Sequence, residues 1–116
     1  MKVLCYSRCT TCKKALVWLE EQGIAYELRD IKGEKPSAEE LELWWKKSGL
    51  PLKKFFNTSG LQYKALNLKD KLPGMSEEEQ IALLATDGML VKRPLLVADD
   101  YVLTGFRQAE WDEKLT

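Results

Sequence analysis

Two cysteines two residues apart, in Cys9-Thr10-Thr11-Cys12, are the side chains of this sequence best suited to chemistry. A thiolate attacks sulfur or another electrophilic centre, and a second thiol one helical turn away can then displace the product by forming an intramolecular disulfide. Spacing assigns the roles. A helix that starts at or just after Cys9 puts its sulfur beside free backbone N–H groups and the positive end of the helix dipole, which favour negative charge there. Cys9 is therefore expected to be the nucleophile and Cys12 the resolving thiol. Arg8, Lys13 and Lys14 flank the pair, and whichever of them faces the sulfur adds to that effect.

A third cysteine raises two metal readings. Cys5, Cys9 and Cys12 spell C-x3-C-x2-C, the spacing by which radical enzymes that use S-adenosylmethionine hold an iron–sulfur cluster. Cys5, however, lies inside the apolar run Val3-Leu4-Cys5-Tyr6, where a small buried hydrophobe is expected, and 116 residues are too few for the large barrel of such enzymes. Zinc would need further ligands, and a chain without histidine would have to recruit carboxylates for them. No metal and no resident cofactor are expected. The lack of histidine also excludes Ser-His and Cys-His catalytic pairs.

Eighteen basic residues balance eighteen acidic ones, so no global field favours a nucleic acid or an anionic membrane. No apolar stretch approaches the ~20 residues that span a bilayer, and the first residues carry no export-type signal. A cytoplasmic protein is expected, and in a reducing compartment a close cysteine pair reads as redox-active rather than structural.

The elements that must position this pair follow from local pattern. Lys2 to Tyr6 reads as a buried strand, and Thr10 to Gln22 as a helix ended by Gly23. Ile24 to Arg29 alternates as a second strand, parallel to the first because a helix crosses between them. Ser37 with Glu40 forms a capping box that opens a helix running to Lys47 and closed by Gly49; Ser76 with Glu79 opens another that runs to Gly88. Leu50 to Leu72 suggests short helical turns, and adjacent Trp44 and Trp45 cannot both face a core. Arg93 to Ala98 and Tyr101 to Thr104 read as a hairpin turning at Asp99-Asp100, before a last helix from about Arg107 to Lys114. The order βαβ, a helical stretch, then ββα predicts an α/β, thioredoxin-like fold with a mixed sheet and an inserted helical subdomain. Its core is expected over about residues 1–34 and 89–116, with the helical subdomain over about 35–88. In thioredoxin-like folds the loop before the third strand carries a cis-proline beside the active cysteine. Pro94 stands there, and Arg93 before it is expected to face Cys9.

Larger motifs give a family resemblance. Cys9-Thr10-Thr11-Cys12-Lys13-Lys14-Ala15, Leu50-Pro51-Leu52-Lys53-Lys54-Phe55-Phe56-Asn57, Tyr63-Lys64-Ala65-Leu66, Leu90-Val91-Lys92-Arg93-Pro94 and Gly105-Phe106-Arg107 together resemble the arsenate reductase (ArsC) family and its Spx/MgsR relatives. For the glutaredoxin-dependent reductases the resemblance implies a cysteine that attacks arsenate, arginines that bind the oxyanion, and an external thiol, such as glutathione with glutaredoxin or a thioredoxin, as electron donor. By motif, Cys9 matches the nucleophile, Arg93 the arginine before proline and Arg107 the arginine after the last strand. Planar guanidinium forks suit a tetrahedral oxyanion. Where those reductases supply a further arginine, this chain has Asn57 or a neighbouring lysine. The C-x-x-C pair resembles instead the redox switch of the Spx branch, which implies RNA polymerase as a partner. An oxidoreductase acting on an oxyanion or a disulfide, and a redox-sensing regulator, are the two functions expected.

Overall fold

Alternation along three short strands decides which side of the sheet each helix covers. In the computed structural model, which describes residues 1–116, β1 (Lys2–Cys5) turns Leu4 to one face and Val3 and Cys5 to the other. β3 (Leu95–Val97) separates Leu95 from Leu96 in the same way, and β4 (Val102–Thr104) separates Val102 from Leu103. With β2 (Glu27–Asp30) they form a mixed sheet in the order β2-β1-β3-β4. β1 is parallel to β2 and antiparallel to β3, and β3 is antiparallel to β4. The parallel pair needs a crossover, which α1 (Thr10–Glu21) provides.

Val3, Cys5, Leu96 and Leu103 pack against Cys12, Ala15, Trp18 and Leu19 of α1 and Trp111 of α6 (Gln108–Leu115). Trp111 is fully buried, with Phe106 edge-on at 4.9 Å and Trp18 edge-on at 6.4 Å between ring centroids. Its indole N–H donates to the Gly105 carbonyl at 3.1 Å, so the buried polar atom is satisfied.

Leu4, Leu95 and Val102 meet the helical stretch between β2 and β3. It comprises α2 (Ala38–Ser48), α3 (Leu61–Ala65), α4 (Leu68–Lys71) and α5 (Glu77–Leu84), with 3-10 turns at Leu52–Phe55, Leu72–Gly74 and Gly88–Leu90. Trp44 is buried in this core, and Trp45 is half-buried with its N–H donating to the Leu50 carbonyl at 2.9 Å. No helix is long and apolar enough to cross a membrane.

Both capping boxes form reciprocally, Ser37 with Glu40 and Ser76 with Glu79. The first also ties the two parts of the chain together. Glu40 accepts the Ser37 N–H at 3.1 Å and both terminal nitrogens of Arg29, on β2, at 2.7 and 2.9 Å. The Arg29 hydrogen bond, helped by the cap, holds the Glu40 carboxyl down at about 2. A depressed carboxyl stabilises the fold above its unfolded value of 4.5, and that contribution disappears as pH falls through about 2. Glu40→Gln keeps the cap and removes the charge. We expect it to cost about 1 kcal/mol near neutral pH, a modest sum because the pair is partly solvated. In chemical denaturation, the gap to the wild type should close between pH 4.5 and about 2; a gap that persists in acid would assign the loss to packing instead.

Several strand ends differ from the sequence reading by one or two residues, and two boundaries differ by more. β2 starts at Glu27, not Ile24, because pairing begins with Lys2 opposite Glu27, while Ile24 turns inward to pack beside α1. α5 stops at Leu84 rather than Gly88. The Thr86 hydroxyl donates back to the Leu83 carbonyl at 2.6 Å, and the Asp87 carboxylate accepts the Met89 N–H at 2.8 Å, so polar side chains divert the chain into a 3-10 turn.

Candidate functional site

Cys9 is the N-cap of α1. Its backbone is extended (φ −91°, ψ 116°), its carbonyl accepts the Lys13 N–H at 3.1 Å, and its Sγ accepts the Cys12 N–H at 3.3 Å. A sulfur thus takes the place of a Ser or Asp cap oxygen, and an otherwise free helix N–H points at it. The first turn of α1 holds no acidic side chain to oppose negative charge on that sulfur.

Cys12 lies behind Cys9 at 1% exposure, in the cluster that contains Cys5. Cys5 meets it there because the alternation of β1 turns Cys5 toward α1. Its hydrogen bond with Cys5, followed by burial, pushes the Cys12 thiol far above the ordinary thiol range. All three cysteines are free thiols.

Cys9 opens onto a cleft of about 1190 Å³ that Asn57, Arg93 and Arg107 also line. Four of the residues singled out from the sequence therefore share one cavity. Cys12 and Pro94 do not line it: both are buried, and Pro94 serves through its carbonyl, which accepts the Gly105 N–H at 2.9 Å and so ties β3 to the turn before Arg107. The Arg93–Pro94 bond is cis. Asn57 arrives by a short ladder: its N–H donates to the Leu90 carbonyl at 2.8 Å, the Lys92 N–H donates to the Phe55 carbonyl at 2.8 Å, and Phe56 bridges Val91. This bridge brings the 53–57 segment alongside Arg93.

Arg93 is held on two sides. Its guanidinium carbon sits 5.3 Å from the Tyr6 ring centroid, and Nη1 donates to the Met89 carbonyl at 3.3 Å. Its Nε is buried with no hydrogen-bond partner. A buried, unpaired donor on a charged group is costly, and an anion in the cleft is the natural acceptor for it. Arg107 is different: its side chain is 81% exposed and reaches Glu110 at 3.6 Å.

Arg8, Lys13 and Lys14 are exposed and off the cleft, whose cations are Lys53, Lys54, Lys92, Arg93, Arg107 and Lys114. Tyr6 and Met89, which hold Arg93, escaped the sequence reading; the one signal was that Tyr6 ends the strand that leads into the cysteine motif.

A mixed four-stranded sheet with a cysteine at a helix N-terminus and helices inserted between its halves is a thioredoxin-like α/β fold. The sequence matches the ArsC family over residues 4–114, and the chain belongs to that family. It is 53% identical over 108 residues to the uncharacterized protein YusI of Bacillus subtilis, covering 93% of this chain and 92% of that one. It is 29% identical over 105 residues to the regulatory protein MgsR of the same organism, covering 90% and 82%. Among solved structures, a candidate ArsC-family-related protein of Bacteroides fragilis superposes with a TM-score of 0.94 at 56% identity, covering 97% of this chain and 94% of that one. A possible arsenate reductase of Streptococcus mutans superposes at 0.90 with 45% identity, covering 98% and 97%.

Proposed function

We propose that this protein is a cytoplasmic thiol–disulfide oxidoreductase of the arsenate reductase type, with Cys9 as nucleophile and Cys12 as resolving thiol. One observation carries the reading: the Cys9 sulfur caps α1 at the mouth of a cleft that it shares with Arg93, whose buried Nε lacks a partner. Attack by the Cys9 thiolate on a disulfide forms a Cys9 mixed disulfide and releases one thiol. Cys12 then attacks the Cys9 sulfur, releases the second thiol and leaves a Cys9–Cys12 disulfide, which an external thiol of the glutathione–glutaredoxin or thioredoxin kind reduces again. With an oxyanion as substrate, Arg93 and Arg107 supply guanidinium donors, and Asn57 offers an amide where the reductases carry an arginine. No resident cofactor is needed for either route.

Turnover tests this directly. Reduced protein with glutathione and glutaredoxin should convert arsenate to arsenite, and prereduced protein with no added thiol should reduce a disulfide in single turnover, in either case only with Cys9 present. The similarity to MgsR favours a second reading, in which the Cys9–Cys12 disulfide alters a surface that binds RNA polymerase. Failure to turn over either substrate, together with co-purification of RNA polymerase, would overturn the enzyme reading in its favour.

The buried pair adds a kinetic expectation. Resolution needs the Cys12 thiolate, and the hydrogen bond with Cys5 and burial hold Cys12 protonated. The resolving rate should therefore rise about tenfold per pH unit from neutral to mildly alkaline pH, with no plateau. Cys5→Ala removes the larger cause and should speed resolution at fixed pH. Quenched-flow mass spectrometry of the mixed disulfide reads both, and a plateau near the ordinary thiol value of about 8.5 would contradict them.

A further inference from the structure

We infer that the cleft beside Cys9 takes an extended acidic polypeptide and presents its disulfide-bonded cysteine to the Cys9 sulfur. The inference rests on the thiol–disulfide reading above and names the substrate class for it.

Size is the first ground. At about 1190 Å³ the cleft exceeds the ~300–1,000 Å³ of ordinary small-molecule pockets, and a four-oxygen anion would occupy one corner of it. Charge is the second. Basic and acidic residues are equal in number over the whole chain, yet the cleft is lined by six cations and a single carboxylate, Glu110, which Arg107 already engages. Lys53, Lys54, Lys92 and Lys114 make no salt bridge within the chain. Two arginines suffice for a small oxyanion, so four more unneutralised lysines call for an anion that is long rather than compact. Gly105 contributes to this lining: at φ +74° it has no Cβ to crowd Lys92, whose Cε would lie 3.1 Å from one.

The third ground separates a polypeptide from a nucleic acid. Leu61, on the cleft wall, is 86% exposed, so the cleft offers an apolar contact among its cations. Single-stranded nucleic acid would instead want aromatic platforms, and the two phenylalanines of the lining are engaged elsewhere, Phe56 in the core and Phe106 against Trp111.

The electrons balance as in the general scheme. The Cys9 thiolate attacks the polypeptide's sulfur in P–S–S–R, giving Cys9–S–S–P and R–S⁻. Cys12 then releases P–S⁻ as the Cys9–Cys12 disulfide forms, and both leaving thiolates take up a proton. The substrate disulfide gains two electrons, the protein pair loses two, and an external dithiol restores them.

The test mixes the prereduced protein, in single turnover, with three disulfides: a peptide flanked by Asp and Glu, its Lys-flanked counterpart of equal length, and small neutral hydroxyethyl disulfide. At low ionic strength the acidic peptide should react about 10- to 100-fold faster than the basic one. That ratio should shrink toward unity as salt shortens the screening length to about 3 Å near molar concentration. Lys53→Gln with Lys54→Gln should lower the ratio of acidic peptide to neutral disulfide several-fold, with circular dichroism to show the fold retained. Equal rates for the two peptides, with hydroxyethyl disulfide still reduced, would overturn the acidic-polypeptide inference and leave the thiol reading standing. No reaction with any of the three would overturn both. A single-stranded oligonucleotide that blocks Cys9 at lower concentration than the acidic peptide would assign the cleft to nucleic acid instead.

Discussion

Cys9→Ser should lower kcat/KM by about 10³-fold or more, whereas Cys12→Ser should react once and stop as a mixed disulfide on Cys9. A hydroxyl at the N-cap would still accept the Cys12 N–H, so α1 should keep its cap and the protein its fold. What is lost is the thiolate, the only form that exchanges with a disulfide at a useful rate. Cys12 has another part. It is buried while Cys9 borders the cleft, so an incoming substrate meets Cys9 first. Without Cys12 nothing one turn along the helix can attack the Cys9 mixed disulfide, and the adduct should be visible as an added mass on the Cys9 peptide. A prereduced Cys12→Ser protein that, without added thiol, still releases the second thiol of a single turnover would assign resolution to Cys5, the neighbour of residue 12 in the buried cluster.

Gly88→Ala should destabilise the protein by about 3 kcal/mol or more, because overpacking against a fixed backbone leaves no cheap relaxation. Gly88 is buried in the 3-10 turn before β3, and a Cβ there would overlap the carbonyl oxygen of Ile31, just past the end of β2. Both sides of that contact are main chain. The Ile31 N–H donates to the Cys5 carbonyl at 2.9 Å, and Ile31 is itself fully buried, so neither strand end can retreat without breaking a bond or a core contact. A domain of this size shifts by about 4–8 °C per kcal/mol, so the melting temperature should fall by more than about 10 °C. A fall of only a few degrees would mean that the segment between α5 and β3 yields easily.

Much of this architecture was legible because its signals are local. Ser37 with Glu40 and Ser76 with Glu79 announce helix starts within four residues, and the C-x-x-C pair announces the start of its helix. Asp99-Asp100 marks the hairpin turn as read. Of the boundaries that moved, β2 was set by a distant partner, through its register with Lys2, and α5 by side chains just past its end, the Thr86 hydroxyl and the Asp87 carboxylate. Cys5 read correctly as buried, but its hydrogen bond with Cys12 depends on which face of β1 meets α1, and that is settled by the whole sheet. Likewise the lysines of the cleft come from segments around 53, 92 and 114. No spacing links them; the Phe56–Val91 bridge and the packing of α6 do. Arg8, Lys13 and Lys14, the charges close to the cysteines in sequence, are exposed and lie outside the cleft lining.

In the proposed chemistry Cys9 and Cys12 work as one redox pair. Peptide mapping by mass spectrometry, after the reduced protein has met one equivalent of a small disulfide, tests it most directly. The expected result is a loss of roughly two hydrogens from the protein, a single Cys9–Cys12 cross-link and a free Cys5 thiol. A Cys5–Cys12 cross-link, or a stable adduct on Cys9 with no cross-link, would contradict it.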